Sequence, residues 1–294
     1  MTEPTRLVLV TGHTFGIRAY EGVFSSPSYL DGRIEVPLMV GLPAGRAAGT
    51  VGYAPISGLA DAQGIEHVEA DDATLHAHAE QLARIRPHYL LVVGWSRLVH
   101  PDVLTLPTEG CLGMHPTKLP LGRGQAPIPW TIIKGLSSTS LSVFGLEAQA
   151  DTGPLVAQYD LAVHPRETAT SLFYRMAALH FTAGRDLAGQ LGRRRIEARP
   201  QRAGESTRWP RRRPADGRIE HSMSAVEIDR LVRALLEPYP RAFVSIDGAD
   251  LPVVAAQPAP ERPGEGPEHE EVAAGVVRFG CRDGVVRLRT RAGG

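Results

Sequence analysis

The chain is poor in several kinds of residue, and each shortage excludes a class of protein. Only two cysteines occur among 294 residues, Cys111 and Cys281, so neither a disulfide framework nor a cysteine-based zinc site is expected. Lysine plus arginine equals aspartate plus glutamate at 32 each, and this zero net charge argues against sequence-independent binding of nucleic acid. No apolar run approaches the ~18 residues that a membrane-spanning helix requires.

Residues 1–10 lack the charged segment and the long apolar stretch of a signal peptide, so the sequence predicts a cytoplasmic protein with no membrane partner. Apolar residues make up 43% and charged residues 22% of the chain, which is ordinary for a soluble globular protein. The length allows one large domain or two ordinary domains with cores of their own. No metal site is predicted, and the sequence carries no signal for an oligomeric state.

The first two thirds of the chain alternate between strand-like and helix-like segments. Apolar residues at helical spacing predict helices at 73–85 and 168–191, and short apolar runs predict buried strands at 7–10, 33–38, 65–68, 89–93, 142–146 and 155–163. Continuous apolar strands between helices favour an α/β fold, with a mostly parallel sheet and helices on both faces. Ligands of such sheets bind beyond the carboxyl ends of the strands, where Gly94 and the loop through His115 are expected to lie.

The composition changes after the long predicted helix. Residues 192–214 contain two arginine triplets and three prolines, and they predict a linker. A helix is predicted at 225–236, and the Asp-Gly pairs at 247–248 and 283–284 indicate hairpins between short strands at 243–246, 251–255, 276–279 and 285–288. The tail is therefore predicted to be a small β-rich module, with a flexible Pro/Glu/Gly-rich segment at 257–271.

The densest group of candidate site residues lies between Gly110 and Gly153. It contains Gly-Met-His-Pro-Thr at 113–117, then Leu119-Pro120 and Arg123-Gly124, and it ends with Asp-Thr-Gly at 151–153. This order resembles the active site of the folate-dependent formyltransferases, the family that includes methionyl-tRNA formyltransferase and the sugar N-formyltransferases. The resemblance extends over nearly the whole chain and is weakest before residue 87.

The resemblance implies a layout and a donor. Residues 1–191 are expected to form a Rossmann-like catalytic domain, 192–218 a linker, and 219–294 a C-terminal β module resembling an OB-fold. The donor of the one-carbon group is expected to be 10-formyltetrahydrofolate. The resemblance implies that His115 takes the proton from the incoming amine and that Asp151 is its partner and proton acceptor, a carboxylate that orients the ring and tunes its pKa.

The resemblance also implies binding residues around this pair. The residues expected to contact the folate are Gly94, Trp95, Met114, Thr152 and Gly153. The residues expected to contact the acceptor are Gly12, Thr117, Arg123, Gly124 and Gln125. An arginine strip at 211–213 is open to two interpretations, a contact with tRNA or a solvated linker.

Gly113 departs from the family pattern, because the family has a catalytic asparagine at this position. The asparagine amide donates a hydrogen bond to the formyl oxygen, and loss of one such donor typically lowers the rate by ~100- to 1000-fold. Gly113 leaves three alternatives open. In the first, another group, such as a backbone N–H, a water or Thr117, replaces the missing hydrogen-bond donor. In the second, a different one-carbon group or acceptor uses the space that the asparagine side chain would fill. In the third, formyl transfer has been lost and only folate binding or hydrolysis is retained.

The first two alternatives are favoured because the rest of the motif is intact. The expected acceptor is then the amine of a small molecule, such as an amino sugar nucleotide or a biosynthetic amine. Initiator methionyl-tRNA is less favoured, since a housekeeping enzyme would be expected to keep the asparagine. A formyltetrahydrofolate hydrolase and a catalytically altered folate-binding homologue are the other hypotheses.

Overall fold

The computed structural model describes residues 3–95, 97–259 and 269–290, and the chain divides into two compact units. The first unit contains Met1–Gly124, Thr139–Leu161 and Tyr174–Arg208, and the second contains Gln125–Ser138, Ala162–Phe173 and Trp209–Gly294. Residues 192–208, which were predicted to belong to a linker, are part of the first unit. The domain boundaries at 191 and 219 stay a prediction.

The strands of the first two thirds of the chain are β1 (Thr5–Val10), β2 (Ile34–Glu35), β3 (Met39–Gly41), β4 (His67–Glu69), β5 (Tyr89–Val93), β6 (Gly110–His115), β7 (Arg123–Gly124), β8 (Ser138–Gly145) and β9 (Leu155–Ala162). The helices are α1 (Thr14–Phe24), α2 (Pro27–Leu30), α3 (Ser57–Gln63), α4 (Ala79–Ile85), α5 (Pro101–Leu104), α6 (Pro127–Ile133) and α7 (Ala169–Leu191). Turns of 3₁₀ helix occur at Ala44–Gly49, His76–His78, Ala203–Glu205 and Pro214–Gly217.

The main sheet has the strand order β4-β3-β1-β5-β6-β8-β9, with β2 paired beside β1. The strands from β4 to β6 pair in parallel, whereas β6 and β8 are antiparallel. Residues of β1 and β5 are almost entirely buried, which explains why their sequences are continuous apolar runs. The prediction of an α/β fold with a mostly parallel sheet is confirmed.

Three predicted elements of this part of the chain are corrected by the structure. The strand predicted at 33–38 is two short strands, β2 and β3, because Pro37 lies between them and has no N–H to donate to a ladder. The helix predicted at 73–85 begins later, since Leu75 has a left-handed φ of 64° and α4 starts at Ala79. His115, predicted in a loop, is the last residue of β6.

The second unit contains a five-stranded antiparallel sheet in the order β11-β12-β15-β14-β13. Its strands are β11 (Phe243–Ile246), β12 (Ala249–Ala259), β13 (His269–Ala273), β14 (Val276–Cys281) and β15 (Gly284–Thr290), preceded by β10 (Arg208–Trp209) and α8 (Ala225–Ala234). The apolar face of α8 packs in one core with Val244, Val253, Phe279 and Leu288. The predicted β-rich module is confirmed, with five strands as in an OB-fold.

The hairpin predicted at Asp247-Gly248 is present between β11 and β12. Both residues have positive φ, 49° and 81°, as the tight turn requires. The segment predicted to be flexible, 257–271, is only partly described: β12 continues to Ala259, β13 begins at His269, and residues 260–268 lie outside the described residues. Over the described ranges, no helix has the length and apolar character needed to cross a membrane.

Candidate active site

The carboxyl ends of β1, β5 and β6 bring three predicted positions to one edge of the sheet. β1 leads to Gly12 and His13, β5 leads to Gly94, and β6 ends at His115. Gly94 has a φ of 65°, and a Cβ on it would lie 2.5 Å from the Cβ of His13, so only glycine fits. A Cβ on Gly12 would similarly lie 2.4 Å from Cδ1 of Leu42. The two glycines therefore allow the chain segments at this edge to approach each other closely.

The ring of His115 is buried and held in one tautomer. Its Nε2 lies 3.0 Å from the carbonyl oxygen of Gly122. Because a carbonyl only accepts, Nε2 must carry a proton and donate it, so in the neutral ring the lone pair is on Nδ1. That Nδ1 faces Oδ1 of Asp151 at 3.8 Å. The structure thus places the two predicted catalytic residues side by side. Nδ1 of His115 faces a carboxylate oxygen of Asp151.

The loop that carries Asp151 is fixed by backbone contacts. Asp151 has a left-handed φ of 61°, a conformation that aspartate tolerates better than most residues, and its Oδ2 accepts a hydrogen bond from the N–H of Gly124 at 2.8 Å. A Cβ on Gly153 would lie 1.9 Å from the carbonyl oxygen of Gly145, at the end of β8. Glycine at 153 therefore lets the loop lie directly against the sheet, with one carboxylate oxygen of Asp151 held and the other facing His115.

Gln201 supports this loop, although no motif in the sequence indicated a role for it. Its Nε2 donates to the carbonyl oxygens of Asp151 at 3.0 Å and Gly153 at 2.8 Å. Its Oε1 accepts from the guanidinium of Arg123 at 2.7 and 3.3 Å. Arg123 was predicted to bind the acceptor; in the structure its guanidinium donates hydrogen bonds to Gln201. Thr207 supports the neighbouring segment, because its hydroxyl accepts a hydrogen bond from the N–H of Gly122 at 2.8 Å. Gly122 is the residue whose carbonyl holds His115.

Gly113 lies inside β6, between Val92 on β5 and Phe144 on β8. A Cβ at this position would lie 2.6 Å from Cδ2 of Leu146 and 3.4 Å from the carbonyl oxygen of Val92. Leu146 packs against the apolar cluster of Leu119, Phe144 and Leu155. The space that a side chain at 113 needs is therefore filled by Leu146, and the structure does not support the expectation that the glycine leaves free space.

Two buried polar atoms of the first unit lack a hydrogen-bond partner within the described part of the chain. One is Oγ1 of Thr117, two residues after His115, and the other is Nε2 of His180 on α7. Nδ1 of His180 donates to the carbonyl of Met176 at 2.8 Å, so Nε2 presents a lone pair. The pKa of His180 is lowered to about 3, mainly because the ring is buried; the hydrogen bond to Met176 opposes this shift, and repulsion from His13 and His115 adds to it.

His13 is a further residue at this edge that the sequence analysis did not assign. Its Nδ1 accepts the N–H of Phe15 at 3.0 Å and so caps α1. Burial lowers the pKa of His13 to about 4, which keeps the ring neutral near pH 7. The ring of Phe15 stacks on His180 at 4.4 Å and lies 4.6 Å from His13. Phe15 therefore packs against the rings of both His13 and the buried His180.

The remaining predicted site residues differ in burial and in hydrogen-bond partners. Met114 is buried in β6. The indole N–H of Trp95 donates to the carbonyl of Ala73 at 2.6 Å, and its ring packs against the buried cluster that includes Val8, Leu90 and Val103. Thr152 is partly exposed, and its hydroxyl donates to the carbonyl of Gln149 at 2.9 Å. Gln125 belongs to the second unit, where its N–H donates to the carbonyl of Trp209 at 3.2 Å.

Comparison with known proteins gives a consistent result over most of the chain. A family model described as formyl transferase matches residues 51–183, and one described as formyl transferase, C-terminal domain, matches residues 212–292. The methionyl-tRNA formyltransferase of Myxococcus xanthus is 33% identical over 248 residues, which are 84% of this chain and 78% of that protein.

Two solved structures share the fold. An N-formyltransferase from Helicobacter canadensis, in complex with folinic acid and dTDP-3-aminofucose, matches with a TM-score of 0.72 and 14% identity over 98% of this chain and 100% of that one. The methionyl-tRNA formyltransferase of Clostridium thermocellum matches with a TM-score of 0.63 and 20% identity, also over 98% and 100%. At such identities these likenesses show the fold alone.

Proposed function

Because the chain belongs to the folate-dependent formyltransferase family, its formyl donor is 10-formyltetrahydrofolate, and we propose that the acceptor is the amine of a small molecule, such as an amino sugar nucleotide or a biosynthetic amine. The observation that carries this proposal is the pair of His115 and Asp151. The carbonyl of Gly122 fixes the proton of the histidine, and the N–H of Gly124 holds the carboxylate.

In the proposed reaction the amine nitrogen attacks the formyl carbon, the bond from that carbon to N10 of the folate breaks, and N10 gains a proton. The attacking nitrogen must lose a proton, and the lone pair on Nδ1 of His115 takes it. The ring then carries a positive charge, which Asp151 stabilises from 3.8 Å, until the ring gives this proton to N10 of the departing folate. We assign the folate to Gly94, Trp95, Met114, Thr152 and Gly153, following the family motif.

The oxyanion that forms on the formyl group needs a donor other than a side chain at Gly113. We assign this role to the hydroxyl of Thr117. Its Oγ1 is buried without a protein partner in the described residues, and unpaired buried polar atoms are uncommon in folded proteins. Ser142 fixes the backbone here, because its hydroxyl donates to the carbonyl of Thr117 at 2.6 Å. A Thr117→Val variant, which keeps the shape and removes the hydroxyl, should lose most of the activity.

Two observations support a small acceptor. The asparagine of the family is absent at Gly113, whereas a housekeeping methionyl-tRNA formyltransferase would be expected to keep it. The Helicobacter canadensis enzyme, which shares the fold, was solved with an amino sugar nucleotide. Gly12, Thr117, Arg123, Gly124 and Gln125 stay the proposed acceptor residues, with Arg123 acting through Gln201 on the Asp151 loop.

The test is release of tetrahydrofolate from 10-formyltetrahydrofolate by purified protein, with and without a panel of amino sugar nucleotides, other primary amines and methionyl-tRNA. Release that depends on one small amine supports the proposal and names the acceptor. Release without any acceptor indicates a hydrolase. Measurable folate binding with no release under any condition refutes formyl transfer from this donor.

Methionyl-tRNA is the second candidate acceptor, because the curated relative that is 33% identical is a methionyl-tRNA formyltransferase. Arg211 and Arg213 are exposed, whereas the guanidinium of Arg212 donates to the carbonyl of Asp216 and lies 5.0 Å from the ring of Trp130. Each phosphate contact steepens the dependence of affinity on salt. If tRNA is the acceptor, Arg211→Gln with Arg213→Gln should weaken tRNA binding and flatten its salt dependence, while an unchanged affinity would exclude this strip as a tRNA contact.

A further inference from the structure

A cluster of two histidines and one aspartate lies in the first unit, outside the site described above. His76 is in the 3₁₀ turn before α4, His100 is the residue before α5, and Asp102 is in the first turn of α5. The imidazole rings lie 4.2 Å apart, and one candidate ligand atom from each of the three residues lies within 4.8 Å of the others. Nothing in the proposed transfer reaction uses these groups.

The distances within the cluster are longer than direct hydrogen bonds and close to the separation of two ligands on one metal ion. Nδ1 of His76 lies 3.9 Å and Nδ1 of His100 lies 3.5 Å from the same oxygen, Oδ2 of Asp102. Both separations exceed the hydrogen-bond range. Two ligand atoms bound tetrahedrally at ~2.0–2.1 Å from a metal ion are about 3.3 Å apart, so small side-chain rotations bring all three atoms onto one ion.

The two segments that carry the cluster are held together by the backbone. The N–H of His100 donates to the carbonyl of Thr74 at 2.8 Å. The turn before His76 is built on the carboxylate of Asp72, which accepts from the N–H groups of Thr74 at 2.9 Å and Ala77 at 3.2 Å. One competing contact exists, because Nδ1 of His100 accepts the N–H of Asp102 at 3.3 Å. That bond is long, and a metal ion would replace it.

We propose that His76, His100 and Asp102 form a binding site for a divalent transition-metal ion, with Zn²⁺ and Co²⁺ as the best matched ions. Two imidazoles and one carboxylate form a ligand set that zinc binds in proteins, whereas Mg²⁺ and Ca²⁺ prefer oxygen ligands alone. Side chains at 55%, 38% and 68% exposure are accessible to an ion from solvent. The bound ion would join the 3₁₀ turn to α5 and leave a coordination position for water.

The experiment uses the untagged full chain, stripped with EDTA, dialysed and titrated with Co²⁺, with visible ligand-field absorption as the readout. Zn²⁺ is then added to displace Co²⁺, and equilibrium dialysis gives the stoichiometry. The variants are His76→Ala, His100→Ala and Asp102→Asn. The matched control is His78→Ala, which removes a histidine from the same 3₁₀ turn outside the cluster. A His115→Ala variant tests whether the catalytic histidine is the ligand instead.

The expected result is one equivalent of metal per chain, with affinity reduced about tenfold or more in each of the three cluster variants and unchanged in His78→Ala and His115→Ala. Circular dichroism of each variant shows that the fold is retained, and the conservative Asp102→Asn change serves where an alanine variant does not fold. Absence of specific binding, or binding that survives in the cluster variants, would overturn the proposal.

Discussion

The effects of substitutions at Leu146 and Gly113 should depend on each other, because a side chain at 113 would contact Leu146. Placing asparagine at 113 tests this directly. In Gly113→Asn the new Cβ would lie 2.6 Å from Cδ2 of Leu146, a distance at which one of the two groups must move. The single variant is therefore expected to be strained and to gain no rate. The double variant Gly113→Asn with Leu146→Ala removes the obstructing side chain and should restore a donor to the formyl oxygen.

The magnitudes follow from packing and from the chemistry of the oxyanion. Overpacking of a well-packed interior typically costs about 1–3 kcal/mol, and the loss of unfolding free energy in Gly113→Asn should lie at the low end of this range, because the obstructing atom is the tip of a partly buried side chain. Leu146→Ala alone should lose about 2 kcal/mol, the low end for leucine truncation, because Leu146 is only partly buried. The double variant should lose less than the sum, since the asparagine fills the space. A correctly placed amide donor is worth ~100- to 1000-fold in kcat.

The assay compares urea unfolding and acceptor-dependent release of tetrahydrofolate for the two single variants, the double variant and the parent. Gly58→Asn is the matched control, because Gly58 is exposed in α3 and a Cβ there would have no heavy atom within 4 Å. The control should change neither stability nor rate appreciably. If Gly113→Asn alone keeps the stability of the parent and gains rate, Leu146 does not occupy the asparagine's space and the reasoning is wrong.

Three further perturbations test the rest of the site. His115→Ala should lower kcat by at least ~100-fold with an unchanged far-ultraviolet circular dichroism spectrum, and full activity would reject the assigned base. Gln201→Met removes both N–H donors to the Asp151 loop at nearly constant volume, and kcat should fall more than the KM for folate rises; an unchanged kcat would mean that the loop is held without the amide. Burial lowers the pKa of His180 to about 3 and of His13 to about 4, so between those values and 6.5 the unfolded chain binds protons that the folded chain does not. Unfolding free energy should therefore fall as the pH drops from 6.5 towards 4, by up to about 1.4 kcal/mol per pH unit for each histidine, and His180→Leu should flatten this dependence in urea titrations; an unchanged slope would show that His180 is not held neutral.

The sequence predicted those parts of the fold whose pattern is local. The apolar runs of β1 and β5 are buried from both sides, so their sequences alone predict strands. The hairpin at Asp247-Gly248 was equally predictable, because a two-residue turn with positive φ selects these residue types. α1 was missed, since its start, Gly-His-Thr-Phe-Gly, has the composition of a loop and its cap is a histidine rather than the usual serine, threonine or aspartate.

The parts of the site that the sequence could not predict depend on contacts between distant segments. The motif indicated His115 and Asp151, because the residues next to each of them in the sequence match the family pattern. Gln201 lies 50 residues from Asp151 and 78 from Arg123, inside a stretch whose arginine and proline content is typical of a linker. No local pattern distinguishes this glutamine from a solvated one, because its role is defined only by the carbonyl groups that it meets.

The same reasoning explains why Gly113 was misleading when considered alone. A glycine in place of a polar side chain suggests an opened pocket, but the volume around one position is determined by its neighbours on adjacent strands. Leu146 follows the end of β8, the strand that pairs with β6, and its N–H donates to the carbonyl of Cys111 at 2.8 Å. The leucine is thus anchored across the strand and its side chain reaches the space above Gly113. A change of chemistry at this site therefore requires substitution at both positions, and variants at either one alone should report mainly on packing.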